Sequence, residues 1–243
     1  MTGVGRLEMV AIDAPDNRKL ASFYADLAGW QIFRAEPDWV VTRTPEGKEV
    51  AFQLAPDHVP PQWPGQERPQ QFHLDLLVDD HQAAAERAVS LGATRLADGA
   101  TWVTLADPAG HPFDLCQRDG VGPAMELFAV TIDAPDAAGL ARFYAALTGA
   151  EVTYEGPEGA MISGVDYRDV PASVMFQQVN EYTPPQWPDP AHPQQAHFDV
   201  RVDDLEAGEA KVVDLGARRL HQAPEGWFVF ADPAGHPFCL TVG

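Results

Sequence analysis

The sequence predicts an α+β fold of four βαβββ modules arranged as two tandem domains. Three observations carry that prediction. The first is duplication: IDAPDNRKLASFYADLAG, Ile12 to Gly29, returns as IDAPDAAGLARFYAALTG, Ile132 to Gly149, and PPQWP, LGA and ADPAGHPF follow in the same order in both copies, 120 to 125 residues apart. A period of that size is a repeated domain rather than a solenoid repeat. The second is the succession of strand, helix and three short strands, which runs twice within each copy. The third is alternation in QFHLDLLVDD, Gln71 to Asp80, and again in QAHFDVRVDD, Gln195 to Asp204. There His73 and Asp75 share one face and Phe72, Leu74 and Leu76 the other, the period of a strand. In a barrel such a polar face can point into a cavity.

In the first copy Leu7 to Ile12 reads as a strand, followed by a helix capped by Asp13 or Asp16. Leu20, Phe23, Tyr24 and Leu27 fall on one apolar stripe of that helix, and Gly29 occupies the C′ position. Trp30 to Arg34, Trp39 to Arg43 and Val50 to Leu54 are the three short strands, separated by turns at Glu36–Asp38 and Pro45–Gly47. After a proline-rich connector, Pro56 to Pro69, the pattern restarts with a strand over Phe72 to Val78 and a helix from Asp80 to Leu91, ended by Gly92. Strands follow at Thr94 to Leu96, Trp102 to Leu105 and Pro112 to Gln117. The expected division is domain 1 at 1–118 (modules 6–55 and 71–118), a linker at 119–123, and domain 2 at 124–243 (modules 126–179 and 195–243).

The formal net charge of −20 repels nucleic-acid phosphates and anionic lipid, so neither is an expected partner. No apolar run approaches the roughly 18 residues of a membrane span. The first residues, MTGVGRLEMV, lack the pattern of a signal peptide. Two cysteines, Cys116 and Cys239, fit a reducing cytoplasm. There is no glycine-rich phosphate loop, no G-x-S-x-G and no C-x-x-C.

The stretches APDNRKLASFYADLAGW and APDAAGLARFYAALTGA, HLDLLVDD and HFDVRVDD, the two LGA, and ADPAGHPFDLC and ADPAGHPFCLT together resemble the vicinal oxygen chelate superfamily, which contains glyoxalase I, bleomycin-resistance proteins and extradiol dioxygenases. The resemblance spans nearly the whole chain and is nearest to its glyoxalase-like branch. It implies open, curled mixed sheets in which two modules enclose a cleft, with metal ligands on the first and last strands of each module. Those positions fall here on Met9 with Glu8 beside it, Gln53, His73 and Asp114 in domain 1, and on Ala129, Gln177, His197 and Cys239 in domain 2.

Gln53, His73 and Asp114 supply an amide oxygen, an imidazole and a carboxylate, a donor set for one divalent metal (Zn, Ni, Mn or Fe) in domain 1, with Glu8 as a candidate fourth ligand. Met9 departs from the pattern, and Ala129 cannot ligate. The alternative is no metal, with His73–Asp75 and His197–Asp199 either as hydrogen-bonded structural pairs or gripping a ligand. Trp63 and Trp187, fixed between prolines in the connectors, either stack on that ligand or pin the connector. Asp107, His111, Asp232 and His236, in the DPAGHP turns, read as structural.

Two functions follow. One is a metal-dependent isomerase, lyase or dioxygenase acting on an oxygenated small molecule, with a cleft in each domain. The other is a metal-free protein that sequesters an aromatic or cationic compound. Either is expected as a monomer containing an internal pseudo-dimer or as a homodimer.

Overall fold

Four copies of one module make the molecule. In the computed structural model, which describes residues 3–65, 67–224 and 226–242, module 1 is β1 (Arg6–Ala14), α1 (Asn17–Ala28), β2 (Gln31–Ala35), β3 (Trp39–Arg43) and β4 (Glu49–Leu54). Module 2 is β5 (Phe72–Val78), α2 (His81–Ser90), β6 (Thr94–Asp98), β7 (Trp102–Ala106) and β8 (Pro112–Gln117). Module 3 is β9 (Glu126–Ala134), α3 (Ala137–Thr148), β10 (Glu151–Gly156), β11 (Gly159–Tyr167) and β12 (Val170–Gln178). Module 4 is β13 (Ala196–Arg201), α4 (Leu205–Asp214), β14 (Arg218–Gln222), β15 (Phe228–Ala231) and β16 (Pro237–Thr241).

The helices glue modules together within each half of the chain. Asp16, not Asp13, caps α1 by accepting from the Lys19 N–H at 2.9 Å, and Gly29 closes the helix at φ 73°, a conformation that costs glycine little. The predicted stripe Leu20, Phe23, Tyr24 and Leu27 is buried. The Tyr24 ring stacks on Phe52 of module 1 and meets Phe113 of module 2 edge-on. Its hydroxyl donates to Asp107 Oδ2 at 3.1 Å. The other oxygen of Asp107 accepts the N–H groups of Ala109 and His111, so this aspartate organises the DPAGHP turn as its composition indicates. Tyr144 donates to Asp232 in the same way in the second half, at 3.0 Å.

The sheets are joined differently. On one side β1 pairs in parallel with β4; on the other it pairs antiparallel with β13, placing Ala11 opposite His197 and Met9 opposite Asp199. Likewise β5 pairs with β8 and, antiparallel, with β9. Module 1 therefore shares its sheet with module 4, and module 2 with module 3. Buried strand edges must find backbone partners, and here each finds one in the other half. The sixteen strands form one continuous mixed sheet. In place of the expected cleft between the two modules of one domain, a cleft is lined by modules 1 and 4 and so draws on both domains.

Two contacts fix this arrangement. Gln71 and Gln195 each donate a backbone N–H to the other's side-chain Oε1 at 2.9 Å, across a pseudo-two-fold axis. The β11–β12 hairpin is longer than its module 1 counterpart, nine residues per strand against five and six, and Arg168 and Asp169 turn its tip with positive φ. At its end the buried Tyr167 donates to the Glu49 carbonyl and accepts the Val10 N–H, stitching module 3 to module 1.

Candidate functional site

β13 is a half-polar strand whose alternation puts His197 and Asp199 on one face. Its neighbours bring further polar groups to that face: Asp199 lies opposite Cys239 of β16, and Asp13 of β1 opposite Gln53 of β4, which in turn faces Trp39 of β3. These residues border a cleft of about 730 Å³, with Trp39, Gln53, His197, Asp199 and Thr241 on its wall and Trp187 and Trp227 beside them. Three buried polar atoms of that wall have no hydrogen-bond partner among the described residues: Trp39 Nε1, Gln53 Oε1 and Thr241 Oγ1. A buried polar atom left unpaired costs about 1–3 kcal/mol, so three residues bordering the cleft each carry a polar group short of a partner.

Behind the cleft runs a buried chain of polar groups. Gln194 Nε2 lies 3.1 and 3.2 Å from the two Asp13 oxygens and 3.3 Å from His197 Nδ1. The far nitrogen of the ring, Nε2, is 3.6 Å from Asp199 Oδ1. Burial raises the carboxyl pKa of Asp13, against the opposing pull of His197 and the Gln194 hydrogen bond. Burial raises Asp199 too, with His197 and Cys239 opposing. Burial and the neighbouring Asp199 push the Cys239 thiol well up.

The pseudo-symmetric cluster lies between modules 2 and 3. One donor atom each from His73, Asp75 and Asp114 fall within 4.8 Å of one another. His73 Nε2 is 3.6 Å from Asp75 Oδ1 and 3.8 Å from Asp114 Oδ2. Thr131 donates to Asp75 Oδ2, and Gln70 Nε2 donates to Asp133 Oδ1 at 3.1 Å and lies 3.3 Å from His73 Nδ1. Asp114 Oδ1 is buried without a partner among the described residues. Burial opposes charge on His73, yet Asp75, Asp114 and Asp133 together raise its pKa to about 9. Burial raises Asp114 and Asp133, with His73 the main opposing influence on each. Three carboxyls thus surround one imidazole. The donor set, one imidazole with carboxylates, one of which has a free buried oxygen, fits a divalent cation. His197, Asp199 and Cys239 also bring one donor atom each within 4.8 Å of one another, a set with a single carboxylate.

The structure regroups the residues singled out from the sequence. His73 and Asp114 come together and Asp75 joins them, but Gln53 does not: it lines the His197 cleft, because β4 lies in the sheet of module 4. Glu8 sits at a register shift in β1, where it pairs with Arg201 at 3.4 Å and approaches Arg168 at 4.0 Å instead of joining a donor set. Trp187 lines the cleft, 6.2 Å ring to ring from His221, and Trp63 is half-buried in its connector. Sequence reasoning passed over Gln70, Gln194 and Asp133 and read Asp13 only as a candidate cap. The signal was present: PQQFH and PQQAH duplicate the glutamine three residues before each histidine.

A family profile described as "Glyoxalase-like domain" matches residues 9–116 and again 129–241. Among solved structures, the chain is similar to glyoxalase I from Zea mays, with 17% identity, 97% of this chain and 91% of that chain covered and a TM-score of 0.66. It is also similar to a putative dioxygenase from Bacillus subtilis subsp. subtilis str. 168, with 12% identity, coverage of 100% and 86% and a TM-score of 0.65. For the cppA protein from Streptococcus pneumoniae TIGR4 the values are 13% identity, 99% of both chains and 0.54. At these identities the likeness is one of fold. No curated protein matches the chain significantly.

Proposed function

The chain belongs to the glyoxalase-like domain family, with two such domains in tandem, and from that premise we propose a small-molecule protein with two chemically unlike clefts. The cleft between modules 1 and 4 binds a planar small molecule without a metal. One observation carries this reading: Trp39 Nε1, Gln53 Oε1 and Thr241 Oγ1, all buried and unpartnered, share the wall of a 730 Å³ cleft with further tryptophans. A volume in that range suits a drug-sized ligand, and aromatic walls supply the apolar contact. Arg34, Glu36 and Asp38 also border the cleft; Arg34 pairs with Glu36 at 3.6 Å, and the remaining acidic charge of Asp38 and Asp199 favours neutral or cationic ligands over anions.

The test is titration of the purified protein with aromatic amides and ketones, followed by tryptophan fluorescence. Saturable binding that Trp187→Ala and Trp227→Ala weaken is expected. Absence of saturable binding across the series would overturn the reading.

A second reading, a metal-dependent isomerase, lyase or dioxygenase step, is favoured by the free Asp114 Oδ1 and the carboxyl excess around His73. His73, Asp75 and Asp114 would hold the ion. A bound divalent ion supplies Lewis acidity toward a carbonyl oxygen. Thr131 orients Asp75 through its hydrogen bond. Gln70, whose Nε2 donates to Asp133 Oδ1 and lies 3.3 Å from His73 Nδ1, would hold the imidazole in place from its far side.

Module 1 finds module 4, and module 2 finds module 3, within one chain, which supports a monomer of 26.4 kDa. No described helix is long and apolar enough to cross a membrane. The cytoplasm remains the compartment that the two free cysteines favour.

A further inference from the structure

Building on the reading of the module 1–module 4 cleft as a ligand site, we infer that Asp13 and Gln194 are positioning residues that hold His197 with its proton on Nε2. That N–H and the indole N–H of Trp39 then form a paired donor site for the carbonyl oxygen of an uncharged aromatic ligand.

The geometry fixes the direction of each hydrogen bond. Gln194 Nε2 faces both Asp13 oxygens, at 3.1 and 3.2 Å, the arrangement of an amide NH₂ group donating to an ionised carboxylate; a protonated Asp13 would turn the amide over and reverse the tautomer, which the measurement below reads. That same nitrogen lies 3.3 Å from His197 Nδ1, so its second hydrogen points at the ring and Nδ1 accepts it. A neutral imidazole that accepts at Nδ1 carries its proton on Nε2. Turning the amide over would press its oxygen against both carboxylate oxygens. At the His73 cluster only one Asp133 oxygen touches Gln70, so the lock is tighter at His197.

Among the described residues, the Nε2–H so placed has no hydrogen-bond acceptor. Asp199 Oδ1 stands 3.6 Å away, beyond a hydrogen bond. The Trp39 ring lies 6.2 Å from the His197 ring, and its N–H is the unpartnered donor already described. The two donors come from opposite halves of the chain and meet only because β1 joins module 4 to module 1. Asp13, Asp199 and Asp38 lie at or beside the site, and Arg34 at its border is paired with Glu36 at 3.6 Å, so an anionic oxygen is disfavoured and a carbonyl is selected. Gln53 Oε1, across the strand pair from Trp39, accepts an adjacent N–H. The class that satisfies all three groups is an aromatic carboxamide.

Two measurements test this. Protein labelled with ¹⁵N-histidine reports the His197 tautomer directly through two-bond ¹H–¹⁵N couplings. The wild type is expected to show an unprotonated Nδ1 and a protonated Nε2. In Asp13→Asn the side-chain NH₂ can donate to a turned Gln194 amide, and the proton is expected to move to Nδ1; Gln194→Ala releases the lock without changing charge. The second measurement compares 2-naphthamide with 2-isopropenylnaphthalene, a similarly shaped probe without the carbonyl or amide nitrogen. Asp13→Asn and Trp39→Phe should each weaken 2-naphthamide by about five-fold, the size of one hydrogen bond, and leave the hydrocarbon unchanged.

A wild-type His197 protonated on Nδ1, or on both nitrogens, overturns the inference, as does an unchanged tautomer in both variants. Equal losses for the two probes overturn the carbonyl site. If neither probe binds the wild type, the ligand cleft itself falls and the carbonyl site with it, while the tautomer result stands separately.

Discussion

Gln71 and Gln195 hold each other: each side-chain oxygen accepts the partner's backbone N–H at 2.9 Å, and each side-chain nitrogen donates to the carbonyl of the proline before the other's pair, Pro193 and Pro69, at 2.8 Å. The paired strands β1 and β9 continue the clasp, since Asp13 and Asp133 donate their N–H groups to the Gln195 and Gln71 carbonyls. This symmetric knot ties together the strands that carry both histidines. Gln71→Ala leaves the buried Gln195 N–H without its acceptor and should destabilise the fold by about 1–3 kcal/mol. Because the bonds are reciprocal, the double variant Gln71→Ala/Gln195→Ala should lose less than the sum of the singles. Urea unfolding of the four proteins reads both numbers.

Metal binding, if carried by the carboxylate-rich cluster, has a signature that separates the observed grouping from the one the sequence suggested. His73→Ala and Asp114→Ala should each abolish stoichiometric Mn²⁺ or Zn²⁺ uptake, because each removes a donor from a set of three. Gln53→Ala should leave uptake unchanged, since Gln53 lines the other cleft. Calorimetric titration with each ion reads the result, and loss of uptake in Gln53→Ala would contradict the module pairing.

His58 gives the fold a pH dependence of known sign. Its ring is partly buried, packs 4.7 Å from the His111 ring, and lies 3.0 Å from the Ala109 carbonyl through Nε2. Burial, followed by the nearby His111, lowers its pKa to about 4 from 6.5. Above pH 6.5 the group is neutral in both states and contributes no slope. As pH falls from 6.5 toward 4, the unfolded chain takes up a proton that the folded chain refuses, so stability drops, levelling off below. His58→Gln should flatten its share of that decline in urea midpoints measured across the interval.

Much of the fold was legible because it rests on local rules. The α1 stripe, the Gly29 cap and the period-two alternation of β5 are short-range patterns, and the duplication reinforces each by repeating it. Module pairing was not legible. Modules 1 and 3 look alike, as do 2 and 4, so β1 could complete its edge with β5 or with β13 at equal cost by pattern alone. The choice rests on long-range contacts such as Tyr167 to Glu49 and Lys48 Nζ to the Leu127 carbonyl at 2.6 Å, which no periodicity announces. That is why the sequence pattern groups His73 with Asp114, as the structure does, but adds Gln53, which the structure places in the other cleft. The tautomer-setting glutamines were visible as a duplicated PQQ, but their partner carboxylates lie 63 and 181 residues away.

The same ambiguity makes a prediction about half of the chain. Residues 1–118 expressed alone would retain the helix-mediated contacts between modules 1 and 2, such as Tyr24 to Asp107. They would lack the partners of β1 and β5, which in the full chain are β13 and β9. Two unpaired, largely buried strands are a strong drive to association. The full-length registers, Ala11 opposite His197 and Thr131 opposite His73, show how a module 1 strand meets a module 2 type strand. In a symmetric pair of fragments, β1 of one copy would meet β5 of the other, and the reverse, closing two identical clefts. Gln53 would then face His73, Asp75 and Asp114 of the partner copy, so each cleft would hold four donors instead of three. The fragment should therefore run as a dimer by light scattering and bind two divalent ions per dimer, and Gln53→Ala, silent in the full chain, should weaken that binding. A monomeric fragment, or one whose metal uptake ignores Gln53, would show that the strand edges do not choose their partners by pattern.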